Sequence, residues 1–108
     1  MKVEEFLAQL EVPAHHNGYV HLRIACEMLL EDETRILNVS KLVYQRIADD
    51  LDTSVQCIDV GIRRALHATW ATGNRALLEK VMGRPLPCPP SGVRFLAAAR
   101  RYLAAQRQ

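Results

Sequence analysis

The spacing of apolar residues constrains this chain most, because they recur at three- and four-residue intervals along nearly its whole length. Val3, Phe6, Leu7 and Leu10 follow the i, i+3, i+4, i+7 pattern of an amphipathic helix, which Pro13 ends. A second helix is expected from Asn17 or Gly18 to about Glu31, with Leu22, Ala25, Cys26 and Leu29 as its apolar stripe. Ser40 is the candidate N-cap of a third, whose Val43, Tyr44, Ile47, Ala48 and Leu51 face inward. Thr53 opens a fourth, with Gln56 three residues on completing a capping box. That helix is the longest, with Val55, Ile58, Ile62, Ala65, Leu66 and Thr69 on one face, Trp70 at its edge and Gly73 as its stop. Asn74 caps a fifth that runs through Met82 to Gly83, and the proline-rich stretch Arg84 to Pro90 is a stiff connector. Ser91 caps the last helix, which carries Phe95, Leu96, Ala99, Tyr102 and Leu103. No segment alternates with the period of a strand. The expected fold class is all-α, a compact six-helix domain spanning residues 1–108.

Composition narrows the class further. A chain of 108 residues, 49% hydrophobic and 24% charged, suits one globular domain with a modest core. Its net charge of +2 and ordinary apolar content argue against disorder. No apolar run approaches the roughly 20 residues needed to span a bilayer, so no membrane role is expected. Glu4 and Glu5 interrupt what would be a signal peptide's apolar region. Cys26, Cys57 and Cys88 are odd in number and far apart, the pattern of reduced thiols, and a cytoplasmic location is expected. Charge is distributed unevenly. Residues 1–33 carry two basic and seven acidic side chains, whereas residues 75–108 carry seven basic and one acidic. The later part suits a polyanion, or is simply the solvated end of a charge gradient.

The third and fourth helices, roughly 41–50 and 54–72, are joined by only two to four residues, the pattern of a helix-turn-helix over about 41–72. At 100° per residue, Gln56, Val60, Arg63, Arg64 and His67 gather opposite the apolar face of the fourth. Arg and Gln are suited to base edges and phosphates. An ordinary αα-hairpin of a helical bundle has the same periodicity, so spacing alone does not separate the two readings. His15, His16, His21, His67 and the cysteines lack any structural zinc spacing, and neither metal nor cofactor is expected. Cys57, Asp59 and His67 lie along one helix and do not converge as a catalytic triad would, and no glycine-rich phosphate loop is present. An enzyme is not expected. Tyr44 and Trp70 fall within apolar stripes and read as core residues. Arg94, Arg100, Arg101 and Arg107 sit on a last helix without acids, with no local ion pairs expected to neutralise them.

Val12-Pro13-Ala14-His15, Gly18-Tyr19 and Leu22-Arg23, together with Ile62-Arg63, Ala65, Trp70 and Gly73-Asn74, resemble the C-terminal effector domain of the stage-zero sporulation response regulator. Ser40-Lys41, Tyr44, Ile47-Ala48 and Thr53 lie at compatible spacing between them, and the resemblance runs from about Val3 to Leu103. It implies a DNA-binding transcription regulator of spore-forming bacteria, with a helix-turn-helix in the major groove and copies that bind short boxes in tandem as dimers.

By the same resemblance, base contacts come from the positions of Gln56, Cys57, Asp59, Val60 and Arg63. Arg64 and His67 are then candidates for phosphate contact, with Arg75 or the last-helix arginines adding charge. Cys57 and Val60 stand where the family usually has arginines, and Asp59 replaces a glutamate. A bidentate arginine–guanine contact is worth about 1–3 kcal/mol of discrimination, so losing two puts the family's operator preference in doubt. The family also carries a phosphoacceptor receiver domain, for which 108 residues leave no room. Unless the chain is a piece of a longer one, direct control by phosphorylation is not expected. The expected partner is double-stranded DNA, with the transcription machinery or a full-length family member as further partners. The apolar Val60 beside Cys57 favours the alternative, an interaction module that has lost DNA reading and pairs with such a full-length regulator.

Overall fold

The computed structural model describes residues 1–106, and every regular element among them is helical. Helices α1 (Val3–Gln9), α2 (Asn17–Glu31), α4 (Val55–Thr72), α5 (Arg75–Met82) and α6 (Gly92–Ala105) fall where the apolar spacing puts them. Their caps are largely those the sequence offers. Asn74 and Ser91 accept from the backbone N–H groups of Leu77 (3.1 Å) and Arg94 (3.3 Å). Gly83 ends α5 in the left-handed conformation, with φ +78°.

The approach to the third helix differs from expectation. Asp32 accepts from both the N–H (3.1 Å) and the hydroxyl (2.6 Å) of Thr34 and opens a 3-10 helix, Glu33–Asn38. A wide π turn, Ser40–Tyr44, follows and runs directly into α3 (Gln45–Asp50). Ser40 is therefore not an N-cap. Val39 before it is already helical, and Asn38 accepts from the N–H of Lys41 at 3.1 Å instead. Val43, Tyr44, Ile47 and Ala48 are buried as expected, but Leu51 is exposed because it lies past the last turn of α3.

The core lies around α4. Ile58, Ile62 and Leu66 pack among Phe6, Leu7 and Leu10 of α1, Leu22 and Leu29 of α2, Ile47 of α3 and Phe95 and Leu96 of α6, all fully buried. Each such side chain contributes about 1.5–3 kcal/mol of burial. Thr69, also fully buried, satisfies its hydroxyl on the Ala65 carbonyl at 2.8 Å. Gly18 of α2 and Gly61 of α4 meet backbone to backbone, so the two helices cross without intervening side chains.

Two tertiary ties fix the C-terminal end of α4. Asn74 donates from its backbone N–H to Leu10 O and from Nδ2 to Gln9 O, both at 3.0 Å, which joins the end of α1 to the start of α5. Trp70 donates from Nε1 to the Leu86 carbonyl (3.0 Å), while the Leu86 N–H donates to Glu79 Oε2 (2.7 Å). The proline-rich connector is thus held from both α4 and α5. The guanidinium of Arg75 lies 4.0 Å over the Trp70 ring.

The acidic front and the basic back also meet. Arg100 pairs with Glu33 of the 3-10 helix at 2.8 Å, a partner from a distant element and not from the last helix itself. The pair joins residues far apart in sequence, so helical spacing gives no sign of it. Arg94 and Arg101 are exposed and take part in none of the described ion pairs, and Arg107 lies outside the described residues.

Candidate nucleic-acid interface

Four residues, 51–54, turn the chain from α3 into α4. Asp52 is left-handed (φ +55°), and the Thr53 N–H returns to the Ala48 carbonyl at 2.9 Å. This closes α3 in the manner usually left to glycine, and aspartate is among the residues that tolerate the conformation. Ser54, in extended conformation, accepts from the Cys57 N–H at 3.1 Å. The N-cap is therefore Ser54 and not Thr53, and Gln56 falls one position short of closing a capping box. Gln56 is released to point outward.

All seven residues singled out in the sequence lie on α4. Gln56, Cys57, Arg63, Arg64 and His67 are exposed, while Asp59 and Val60 are half-buried at its margins. Arg63 does not project freely. Its Nη2 donates to Asp59 Oδ2 at 2.7 Å, one turn back along the helix. The acid precedes the base at i, i+4, the favourable order, and such exposed pairs are worth about 0.3–0.5 kcal/mol. That is small enough for a stronger anionic partner to displace. His67 stands against Trp70 with ring centroids 6.0 Å apart.

Sequence reasoning did not identify the second wall beside this face. The start of α2 lies along α4 and leaves an open groove of about 980 Å³, with His15, His16 and Asn17 on one side and Gln56, Cys57 and Arg64 on the other. His16 Nδ1 accepts from the Gly18 N–H (3.1 Å) and so caps α2. Spacing gives no sign of this wall, because the close pairing of Gly18 and Gly61 that brings it alongside arises only in the fold.

Two groups at this groove titrate away from their ordinary values. Burial, and then the neighbouring His16, hold His21 below the usual histidine range, and its Nδ1 is buried with no partner among the described residues. The Thr53 hydroxyl, followed by that of Ser54, holds the exposed Cys57 thiol below the usual cysteine range. Cys26, by contrast, is fully buried in the core and pushed up to about 12.

Among the described residues no group of three or more His, Cys, Asp or Glu side chains is arranged to hold a metal ion. No helix among the described residues is long and apolar enough to cross a membrane. Residues 3–103 match the family described as the C-terminal domain of the sporulation initiation factor Spo0A. The match covers all six α-helices but for the last two residues of α6, and includes the whole of the α3–turn–α4 unit. With this extent of agreement in an all-helical domain, the chain belongs to the Spo0A C-terminal family, the effector domains of a sporulation transcription regulator.

Proposed function

We propose that the domain is a sequence-specific DNA-binding transcription regulator that lays α4 in the major groove. The exposed face of α4 carries this reading. It offers Gln56, Arg63, Arg64 and His67 to solvent, and its one nearby acid, Asp59, is already engaged with Arg63. Arg63 is the principal base reader and Gln56 its auxiliary, with Cys57, Asp59 and Val60 against the same base edges. Arg64 and His67 contact phosphates, and Arg94 and Arg101 add attraction without sequence information. Copies bind tandem boxes as pairs.

Fluorescence anisotropy with duplex DNA across a salt series tests the reading. Six phosphate contacts give log K falling with log salt at a slope of about −5. Absence of binding at low salt removes the proposal.

A second reading rests on Val60, Cys57 and the exposed Val20 and Leu51, which give the groove an apolar strip beside its polar groups. Under it the domain has kept the fold and pairs with a full-length family member instead of reading DNA. Co-elution with such a regulator in the absence of DNA, combined with no duplex binding, would favour it.

A further inference from the structure

The groove between the start of α2 and the first turns of α4 has walls of one electrostatic character. The chain holds 12 aspartates and glutamates, yet none of them lines this groove among the described residues. Its charged or ionisable lining is instead Arg64, His15, His16, His21 and Cys57, of which only the thiol can become an anion. Arg64 is exposed and takes part in none of the described ion pairs. Both helices also begin here, α2 at Asn17 and α4 at Val55, and the partial positive charge of their first turns has the same sign.

His16 gives the α2 wall a donor. Its Nδ1 accepts from the Gly18 N–H at 3.1 Å and so caps α2. A neutral imidazole has one acceptor and one donor nitrogen, so the proton of this ring stands on Nε2. The cap holds the ring to Gly18, and Gly18 is itself locked against Gly61 at the helix crossing. The donor is therefore tied to the packing of α2 on α4. Gln56, Cys57 and Arg64 line the groove and also belong to the exposed face of α4, so the groove is continuous with the candidate reading face.

We infer that this groove seats a phosphodiester of the DNA backbone, with His16 donating from Nε2 on the α2 wall and Arg64 facing it from α4. His16 is then a neutral phosphate contact, which adds affinity on any sequence and carries no base preference. The inference rests on the DNA-binding reading above. To an interface otherwise drawn from α4 and α6 it adds a second wall, the start of α2.

The test uses the whole chain near neutral pH, a duplex enriched by selection from a random pool, and a scrambled duplex of the same composition. Serine is a favoured N-cap, but its hydroxyl is taken up by the cap and is shorter than the imidazole. His16→Ser therefore leaves the urea midpoint level, while Kd rises about tenfold on both duplexes, the scale of one hydrogen bond to a charged group. The ratio of the two Kd values stays within about twofold. Because the lost donor is neutral, the salt slope does not change, whereas Arg64→Ala makes it shallower by about one. Unmoved Kd values, a loss confined to the selected duplex, or a salt slope that falls as it does in Arg64→Ala overturns the inference. A second measurement locates the contact. Neutral methylphosphonates placed one at a time along the selected duplex should find a phosphate whose replacement weakens the wild type about tenfold more than His16→Ser. Absence of such a position also overturns it. If the wild-type protein binds no duplex, the DNA-binding reading falls and this inference falls with it. If it binds while the His16 results fail, only the inference falls.

Discussion

Gly18 and Gly61 meet so closely that a Cβ on Gly18 would collide with the Gly61 carbonyl, coming within 2.6 Å of its carbon and 2.8 Å of Ala65 Cβ. This contact sets the distance between α2 and α4, and with it the width of the groove beside the candidate reading face.

The two glycines are not equivalent. An alanine at 18 meets backbone, which cannot move aside, while one at 61 meets the His21 ring at 2.7 Å, which can rotate. Overpacking costs about 1–3 kcal/mol, against about 1 kcal/mol of helix propensity gained from alanine. The backbone contact puts Gly18→Ala at the upper end of that range, so it is expected to lower stability by about 2 kcal/mol net in urea denaturation, and Gly61→Ala by clearly less. Equal midpoints for both variants and the wild type would contradict the close crossing.

Acid should weaken the domain through His21. Its folded pKa is lowered, chiefly by burial, so the unfolded chain binds more protons in the interval just below the ordinary value of 6.5. The stability that comes from keeping it neutral is fully present above that value and is lost as pH falls toward the folded pKa. Denaturation midpoints measured from pH 7.5 downward should therefore decline, and His21→Gln should flatten part of the decline. An unchanged slope in that variant would assign the effect elsewhere.

The cysteines supply an independent probe of the reading face. Cys57 is exposed, with a thiol held low by the hydroxyls of Thr53 and Ser54, while Cys26 is enclosed and pushed up to about 12. Iodoacetamide near neutral pH should label Cys57 and spare Cys26, as peptide mass mapping will show. A bound duplex should protect Cys57 and leave the labelling of exposed Cys88 unchanged. Equal labelling of Cys57 with and without saturating duplex would place the DNA elsewhere.

Helix positions were legible in the sequence because apolar spacing and caps agree locally, as with Asn74, Ser91 and Gly83. The turn chemistry was less so. The left-handed residues that end α1 and α3 are Glu11 (φ +60°) and Asp52, not the glycines that normally mark such ends. Thr53 and Ser54 are both good caps, and only the closure of α3 onto Ala48 decides between them. The exposure of Gln56, Arg63, Arg64 and His67 was readable, since a helix presents its outer side at a fixed angle, while Val60 from the same reading is half-buried. What spacing does not encode is contact between distant elements: Arg100 with Glu33, Gly18 with Gly61, and the Tyr44 hydroxyl beside Gly92. The Asp59–Arg63 pair had the right spacing for a salt bridge, yet reading both residues as DNA contacts left their mutual engagement unnoticed.

The central claim is that α4 reads base sequence through Arg63 while exposed arginines of α6 supply attraction alone. Selection of bound duplexes from a random pool, followed by anisotropy on the enriched sequence, tests it most directly. The wild-type protein should enrich one short box. Arg63→Ala should lose preference at one position of that box, at a cost of about 1–3 kcal/mol. Arg101→Ala should weaken all sequences alike and make the salt slope shallower by about one. No enriched box, or a preference that survives Arg63→Ala unchanged, would contradict the account.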